Sequence, residues 1–450
     1  MMQVSEERDL YLSHFSRFEK AQTGKVPAWL RAVRRSAFDR FAALGFPTTR
    51  QEEWRFTNVA PIGKIVFKLT EPGECDPKDL PAKTLDHFCW GQWECHQLVF
   101  VNGHFSPELS SLGSLPTGVL IQGLGATLEN GSGRLEPFLA QYASFDSHSF
   151  VALNTAFIAD GALVYLPKNA VLHEPIHLLF ISTNQGEPTV SHPRTLIVAE
   201  ANSQAKIIES YVGLEGQVYF TNAVTEVVAG ENAIIDHCKL ERESAQAFHI
   251  ATLQVHQERS ANFSTHSISL GGALARNDVN VVLDGEGAEC TLDGFYMVRG
   301  RQHVDNHTTI DHARPHGSSR ELYKGILDEQ ASGVFNGRII VRPGAQKTDA
   351  RQANKNLLLS EEALVNTNPQ LEIHADDVKC THGATIGQLD AEALFYLRSR
   401  GIDVETARHL LTYAFASDII SRVKIDPVRT GLECSLFMRL PQGHKITEGV

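Results

Sequence analysis

A short polar cluster returns through the middle of the chain and limits what this sequence can fold into. It occurs as Lys168-Asn169-Ala170, Ala201-Asn202-Ser203, Gly230-Glu231-Asn232-Ala233, Arg259-Ser260-Ala261-Asn262 and Gly285-Glu286-Gly287-Ala288. The spacing of roughly 25 to 33 residues falls in the range of stacked structural repeats. Each unit reads as a coil of short strands with a polar turn at one corner. Stacked coils of this kind bury a narrow apolar core, so a parallel β-helix is the expected architecture. A β-sandwich is the alternative, because strand density alone does not fix connectivity.

The strands are dense around these clusters. Punctuated apolar runs at residues 97–101, 118–122 and 162–166 are followed by runs at 176–181, 195–198, 205–211, 223–228, 233–240, 251–256, 262–269, 279–283 and 288–297. Helical periodicity is confined to the two ends and to an interruption near 135–159. Pro27 starts a helix whose apolar stripe is Trp29, Val33, Ala37, Phe41 and Leu44, stopped by Gly45 and Pro47. Residues 10–18 suggest another. Asp390 and Asp403 read as N-caps of two later helices, the first closing at Arg400 before Gly401 and the second ending before Pro427. Four regions are therefore expected: a helical and mixed region over 1–95, the β-helix over 96–388, a helical region over 389–424 and a tail over 425–450. The last helices either close the end of the solenoid or dock another protein.

Composition narrows the function. The 450 residues include 41 basic and 53 acidic side chains, a formal charge of −12 that argues against nucleic acid and against anionic membrane surfaces. No apolar run reaches spanning length, and the first residues read neither as a secretory signal nor as a transit peptide. The seven cysteines are scattered and odd in number, and none forms a CxxC pair, so reduced thiols in a cytoplasmic setting are expected.

Four motifs bear on chemistry. Cys380 and His382 stand two apart in Lys379-Cys380-Thr381-His382-Gly383, so in a strand they share a face and offer a soft sulfur beside an imidazole nitrogen. Iron or zinc suits that pair, with further ligands required from elsewhere; the plain alternative is a buried thiol and a hydrogen-bonded imidazole. His303, Asp305 and His307, followed by Asp311, His312 and His316, form a second metal candidate, set against alternating polar residues on the wet face of a strand. His173-Glu174-Pro175-Ile176-His177 matches HExxH in letters only, because Pro175 breaks the helix that motif needs. Gly344-Ala345-Gln346-Lys347-Thr348 is not a phosphate loop, and with no GxxxxGK elsewhere the chain is not expected to hydrolyse nucleotide. The GxSxG elbow of serine hydrolases is also missing.

Four longer segments carry a resemblance: Gln51-Glu52-Glu53-Trp54-Arg55-Phe56-Thr57; residues 307–327 with Tyr323-Lys324-Gly325-Ile326-Leu327; residues 347–360; and residues 375–402. Together they resemble the SufB/SufD family of iron-sulfur cluster assembly proteins, on the SufD side of it. The resemblance implies a right-handed parallel β-helix between N-terminal and C-terminal helical regions. It implies a non-catalytic scaffold that pairs with SufB through the β-helix ends and binds the ATPase SufC through residues 391–400 and 404–422, with Leu394, Tyr396, Leu397, Arg400, Leu410, Tyr413 and Phe415 as the docking side chains. His382, with Cys380 beside it, then contributes to a transient iron or nascent cluster at the SufB interface, with no cofactor held permanently by this chain alone. The β-helix ends would also permit two copies to pair. A purely structural subunit and a metal-dependent hydrolase built on the His303 group are the rival readings.

Overall fold

The computed structural model describes residues 2–439 except 23, 72, 74–87, 90–92, 131–132, 134 and 184–185. Cys75 and the tail beyond 439 lie outside the described residues.

The polar clusters are the corners of a parallel β-helix. Asn169, Asn202, Asn232 and Ser260 have φ of 64, 59, 56 and 54°, and Gly287 has 69°. Asparagine tolerates this left-handed conformation better than most residues, which explains its return at this point of successive coils. Each corner N–H donates to a carbonyl one coil on: Asn169 to Ala201, Asn202 to Glu231 and Asn232 to Arg259, at 2.8–2.9 Å. The side-chain amides form a ladder as well, Asn232 Nδ2 to Asn202 Oδ1 at 3.1 Å and Asn202 Nδ2 to Asn169 Oδ1 at 2.9 Å. The residue after each turn, Ser203, Ala233, Ala261 or Ala288, is wholly buried. The same column continues through His316 and Lys347, with φ of 62 and 64°. The stretch 344–348 is therefore a corner, and His316 a turn residue.

Among the described residues, strands between corners build two sheets of eleven and ten strands, successive strands alternating between them so that each coil adds one strand to each sheet. Phe248–Gln257 pairs in parallel with Tyr219–Ala229 on one side and Leu274–Leu283 on the other. This parallel stacking, coil on coil, excludes the sandwich. Among the described residues only the first strands are antiparallel, His96–Val101 with His104–Ser111 and Leu120–Gly123 with Gly161–Leu166. Ile176–Ser182 is a strand, so His177 lies buried in the core wall, away from any zinc helix. The interior holds a ring stack, Phe100 on Phe180 at 4.6 Å and Phe180 on Tyr211 at 4.8 Å between centroids.

Helices α1 (Met2–Ala21), α2 (Ala28–Leu44) and a short α3 (Ala60–Gly63) precede the β-helix, and α4 (Leu124–Glu129) and α5 (Ser149–Ala156) interrupt its first coils. The buried stripe of α2 is Leu30, Arg34, Ala37, Phe38 and Phe41. It is turned from the expected one because Arg34 is buried and donates to the Ile158 carbonyl, a role that a count of apolar positions does not register. After the last strand come α6 (Ala391–Ser399), α7 (Val404–Ile420) and α8 (Asp426–Arg439). Asp390 caps α6 by accepting from the Glu392 and Ala393 N–H groups, and Asp403 caps α7 through Glu405 and Thr406. Residues 426–439 are thus helix rather than tail. Pro427 sits in the first turn of α8, where a missing N–H costs nothing, instead of ending α7.

Candidate functional site

Among the described residues, Leu364–Ile373 and Lys379–Gly387 end the two sheets, each paired on one side only. Their free edges carry unpaired backbone groups, and Leu364 and Ile386 are 63% and 48% exposed beside them. A free strand edge with apolar flanks is a template for another chain.

Cys380 and His382 lie on the second of these strands, in register with Ala350 and Gln352 of Asp349–Leu358. Ala350 and Gln352 are buried on the inner face, so Cys380 and His382 share that face at the mouth of the β-helix. Cys380 packs partly against the main core, and burial, with the Asp349 carboxylate, pushes its thiol above the usual value. His382 is exposed. Among the described residues no three His, Cys, Asp or Glu side chains are placed to hold a metal ion. The pair therefore offers two donors of the soft and borderline kind, chemically compatible with iron or zinc, and by itself falls short of a closed metal site.

One coil behind, the inner column continues from Gln352 to Glu321. Gln352 Nε2 donates to Glu321 Oε2 at 2.7 Å. Both side chains are buried, and burial pushes the Glu321 carboxyl up to about 7. Sequence patterning did not single out either residue.

The His303 group has another role. Asp305 is buried, accepting from Arg276 Nη1 at 2.8 Å, and it faces His307 Nε2 at 3.0 Å. His307 Nδ1 stands 3.2 Å from Glu53, and His303 Nε2 stands 2.9 Å from the Thr57 hydroxyl, which itself donates to Asp305 Oδ2 at 2.5 Å. Arg276 stacks on Trp54, its guanidinium carbon 3.7 Å from a ring centroid, and donates to the Glu53 carbonyl at 2.6 Å. A buried guanidinium stands where a metal would be, so His303, Asp305 and His307 clamp segment 51–57 onto the outer wall. The face is covered rather than wet, and the missed partner was Arg276. Burial acts to lower His307, but the Asp305 carboxylate, with Glu53, outweighs it and raises the imidazole to about 9. The same neighbours, His307 and Arg276, overcome burial at Asp305 and hold its carboxyl far below the usual range.

The C-terminal helices α7 and α8 pack along the ten-stranded sheet. Ala416, Ile419 and Ile420 of α7 pack on Ile208, Leu240, Phe295 and Ile326 of the ten-stranded sheet. Tyr413 and Phe415 join that cluster, and Lys324 Nζ donates to the Phe415 carbonyl at 3.0 Å, so these two expected docking residues are occupied within the chain. In contrast, α6 has no buried residue. Tyr396, Arg400 and Leu410 are exposed, and Leu394 and Leu397 are half-buried. Phe395, not among the expected residues, is 73% exposed, more than any other large apolar side chain described. A nine-residue helix without a fully buried residue is marginal in water by itself, so α6 is held by its half-buried side alone and leaves Phe395 and Tyr396 exposed.

Comparison with known proteins gives the family of the chain. The family description "SUF system FeS cluster assembly, SufBD core domain" matches residues 180–415, and "SufBD protein N-terminal region" matches residues 5–178. The chain belongs to the SufBD family. It is 37% identical over 400 residues to an iron-sulfur cluster assembly SufBD family protein of Synechocystis, covering 87% of each chain. It is 30% identical over 403 residues to the iron-sulfur cluster assembly protein SufD of Escherichia coli, covering 89% of this chain and 90% of that one. SufD of Bacillus subtilis is 28% identical over 440 residues, covering 94% and 95%. The SufBD core match contains the corner ladder from Asn202 onward, the buried column of Glu321 and Gln352, and the Cys380 and His382 pair; the clamp spans both matches. No helix of the described residues is long and apolar enough to cross a membrane.

Proposed function

We propose that this SUF-system protein is a non-catalytic scaffold of the SufD kind, pairing with SufB through the open end of its β-helix and binding the ATPase SufC through α6 and the exposed start of α7. The observation that carries the reading is the inward-facing Cys380 and His382 pair at an uncapped sheet end. Two donors do not close a site, and a partner strand added to the free edge would bring the others. His382 then ligates iron or the nascent cluster as cargo. Cys380, whose thiol is held protonated by burial, joins once the mouth is rearranged. Nucleotide hydrolysis by two SufC subunits would strain the interface, so this chain supplies conformational work and ligands.

Co-expression with SufB and SufC tests it. Phe395→Asp should remove SufC from the purified complex while SufB stays, with thermal unfolding of the isolated chain unchanged. Full retention of SufC by Phe395→Asp and by Leu410→Asp would refute the docking surface.

A further inference from the structure

An imidazole that ligates a metal must present one bare nitrogen, and the hydrogen bond at its other nitrogen decides which one. His382 is exposed toward the mouth, so the fixing group has to come from the coil behind it. In register with it stands Gln352, on a strand whose spacing from the next is about 4.8 Å.

The Gln352 amide is set in place from two sides. Its nitrogen donates to Glu321 Oε2 at 2.7 Å, so its carbonyl oxygen points away from the carboxylate. That oxygen is buried and has no hydrogen-bond partner among the described residues. Across the interior, Gly337 leaves room for the amide: a Cβ there would lie 2.4 Å from Gln352 Nε2. A buried acceptor without a donor costs about 1–3 kcal/mol, as does an unneeded buried carboxyl, and an apolar pair would fill the same space without that penalty. The column thus ends in an oriented acceptor one strand from an imidazole.

We propose that Glu321 and Gln352 form a positioning couple, in which Glu321 orients the Gln352 amide and the Gln352 carbonyl accepts from one ring N–H of His382, holding the imidazole in a single tautomer with its bare nitrogen facing out of the mouth. The couple deepens the reading of His382 as a ligand and rests on it for its consequence. In this structure the Gln352 oxygen is without a partner among the described residues and His382 is exposed, so the bond forms as the ring turns inward over Gln352, which needs no second chain.

The test is the tautomer of His382 in the full-length chain. With histidine labelled by nitrogen-15, two-bond proton–nitrogen spectra at pH 8 separate the two neutral tautomers, and His382→Ala assigns the signals. The wild-type chain should show one tautomer. Gln352→Leu should shift the ratio at least about fivefold, the worth of one hydrogen bond of about 1 kcal/mol. Gly337→Ala, which crowds the amide without removing it, should do the same while leaving circular dichroism unchanged. A mixed population in the wild-type chain overturns the proposal whatever the variants do, and so does an unchanged ratio in either folded variant. Failure of the ligand reading looks different: a single tautomer together with normal cluster assembly by His382→Ala retires the ligand and keeps the couple.

Discussion

Replacing His307 by glutamine should make the grip of segment 51–57 on the β-helix insensitive to alkali. In the folded chain His307 faces Asp305 on its own strand, Glu53 from the N-terminal segment and Arg276 from the neighbouring strand, and it is raised from 6.5 to about 9. A group raised on folding contributes stability that is fully present below its unfolded value and is lost as pH rises through the folded one. Integrating between pH 7 and 10 with these two values gives a loss of about 2.5 kcal/mol. Asp305 itself is depressed, so its contribution is lost only on the acid side and does not enter this window. Arg276 lies 3.7 Å from a Trp54 ring centroid, which makes the fluorescence of Trp54 a reporter of the clamp. With Trp29, Trp90 and Trp93 changed to phenylalanine, urea unfolding followed at Trp54 should show the wild-type segment losing about 2–3 kcal/mol from pH 7 to 10 and His307→Gln losing under about 1. Parallel pH curves for the two proteins would refute the reasoning.

Two further outcomes follow from the packing. Asn232→Ala should cost about 1–2 kcal/mol, from the loss of a ladder hydrogen bond and a left-handed backbone, whereas Asn232→Gly should cost less because glycine takes φ of 56° freely; equal losses in thermal unfolding would contradict the corner account. Glu226, buried against Arg194 at 2.6 Å, also accepts from the N–H groups of Ala140, Tyr142 and Ala143 at 2.8, 2.9 and 3.0 Å. Glu226→Gln leaves the guanidinium uncompensated and should cost about 3 kcal/mol by calorimetry, with faster proteolysis near residue 140; no change in either would count against the anchor.

What could be read from the sequence follows from how local its causes are. The corners were legible because a left-handed residue followed by a small buried one is a local demand, met by Asn202-Ser203 and Asn232-Ala233 alike. Past Gly287 the same corners were missed, because His316 and Lys347 fill the position with residues that carry other associations. The cap at Asp390 was legible for the same local reason, whereas Pro427 was ambiguous between stopping one helix and starting the next. Period two placed Cys380 and His382 on one face, but which face is inner is a property of the coil beneath, fixed by Ala350 and Gln352. The clamp was not legible, since Glu53 and Thr57 lie some 250 residues from His307 and Asp305. Nor was the exposure of Phe395: an apolar residue on a helix reads as buried until the structure shows that nothing in the described chain covers it.

The most direct test of the account is a count of iron and sulfide in the complex purified with its natural partners, with and without His382. The account predicts that His382→Ala preserves the subunit ratio and sharply lowers bound iron and sulfide after assembly, with Cys380→Ser giving a smaller loss. Wild-type iron and sulfide in an intact His382→Ala complex would contradict it.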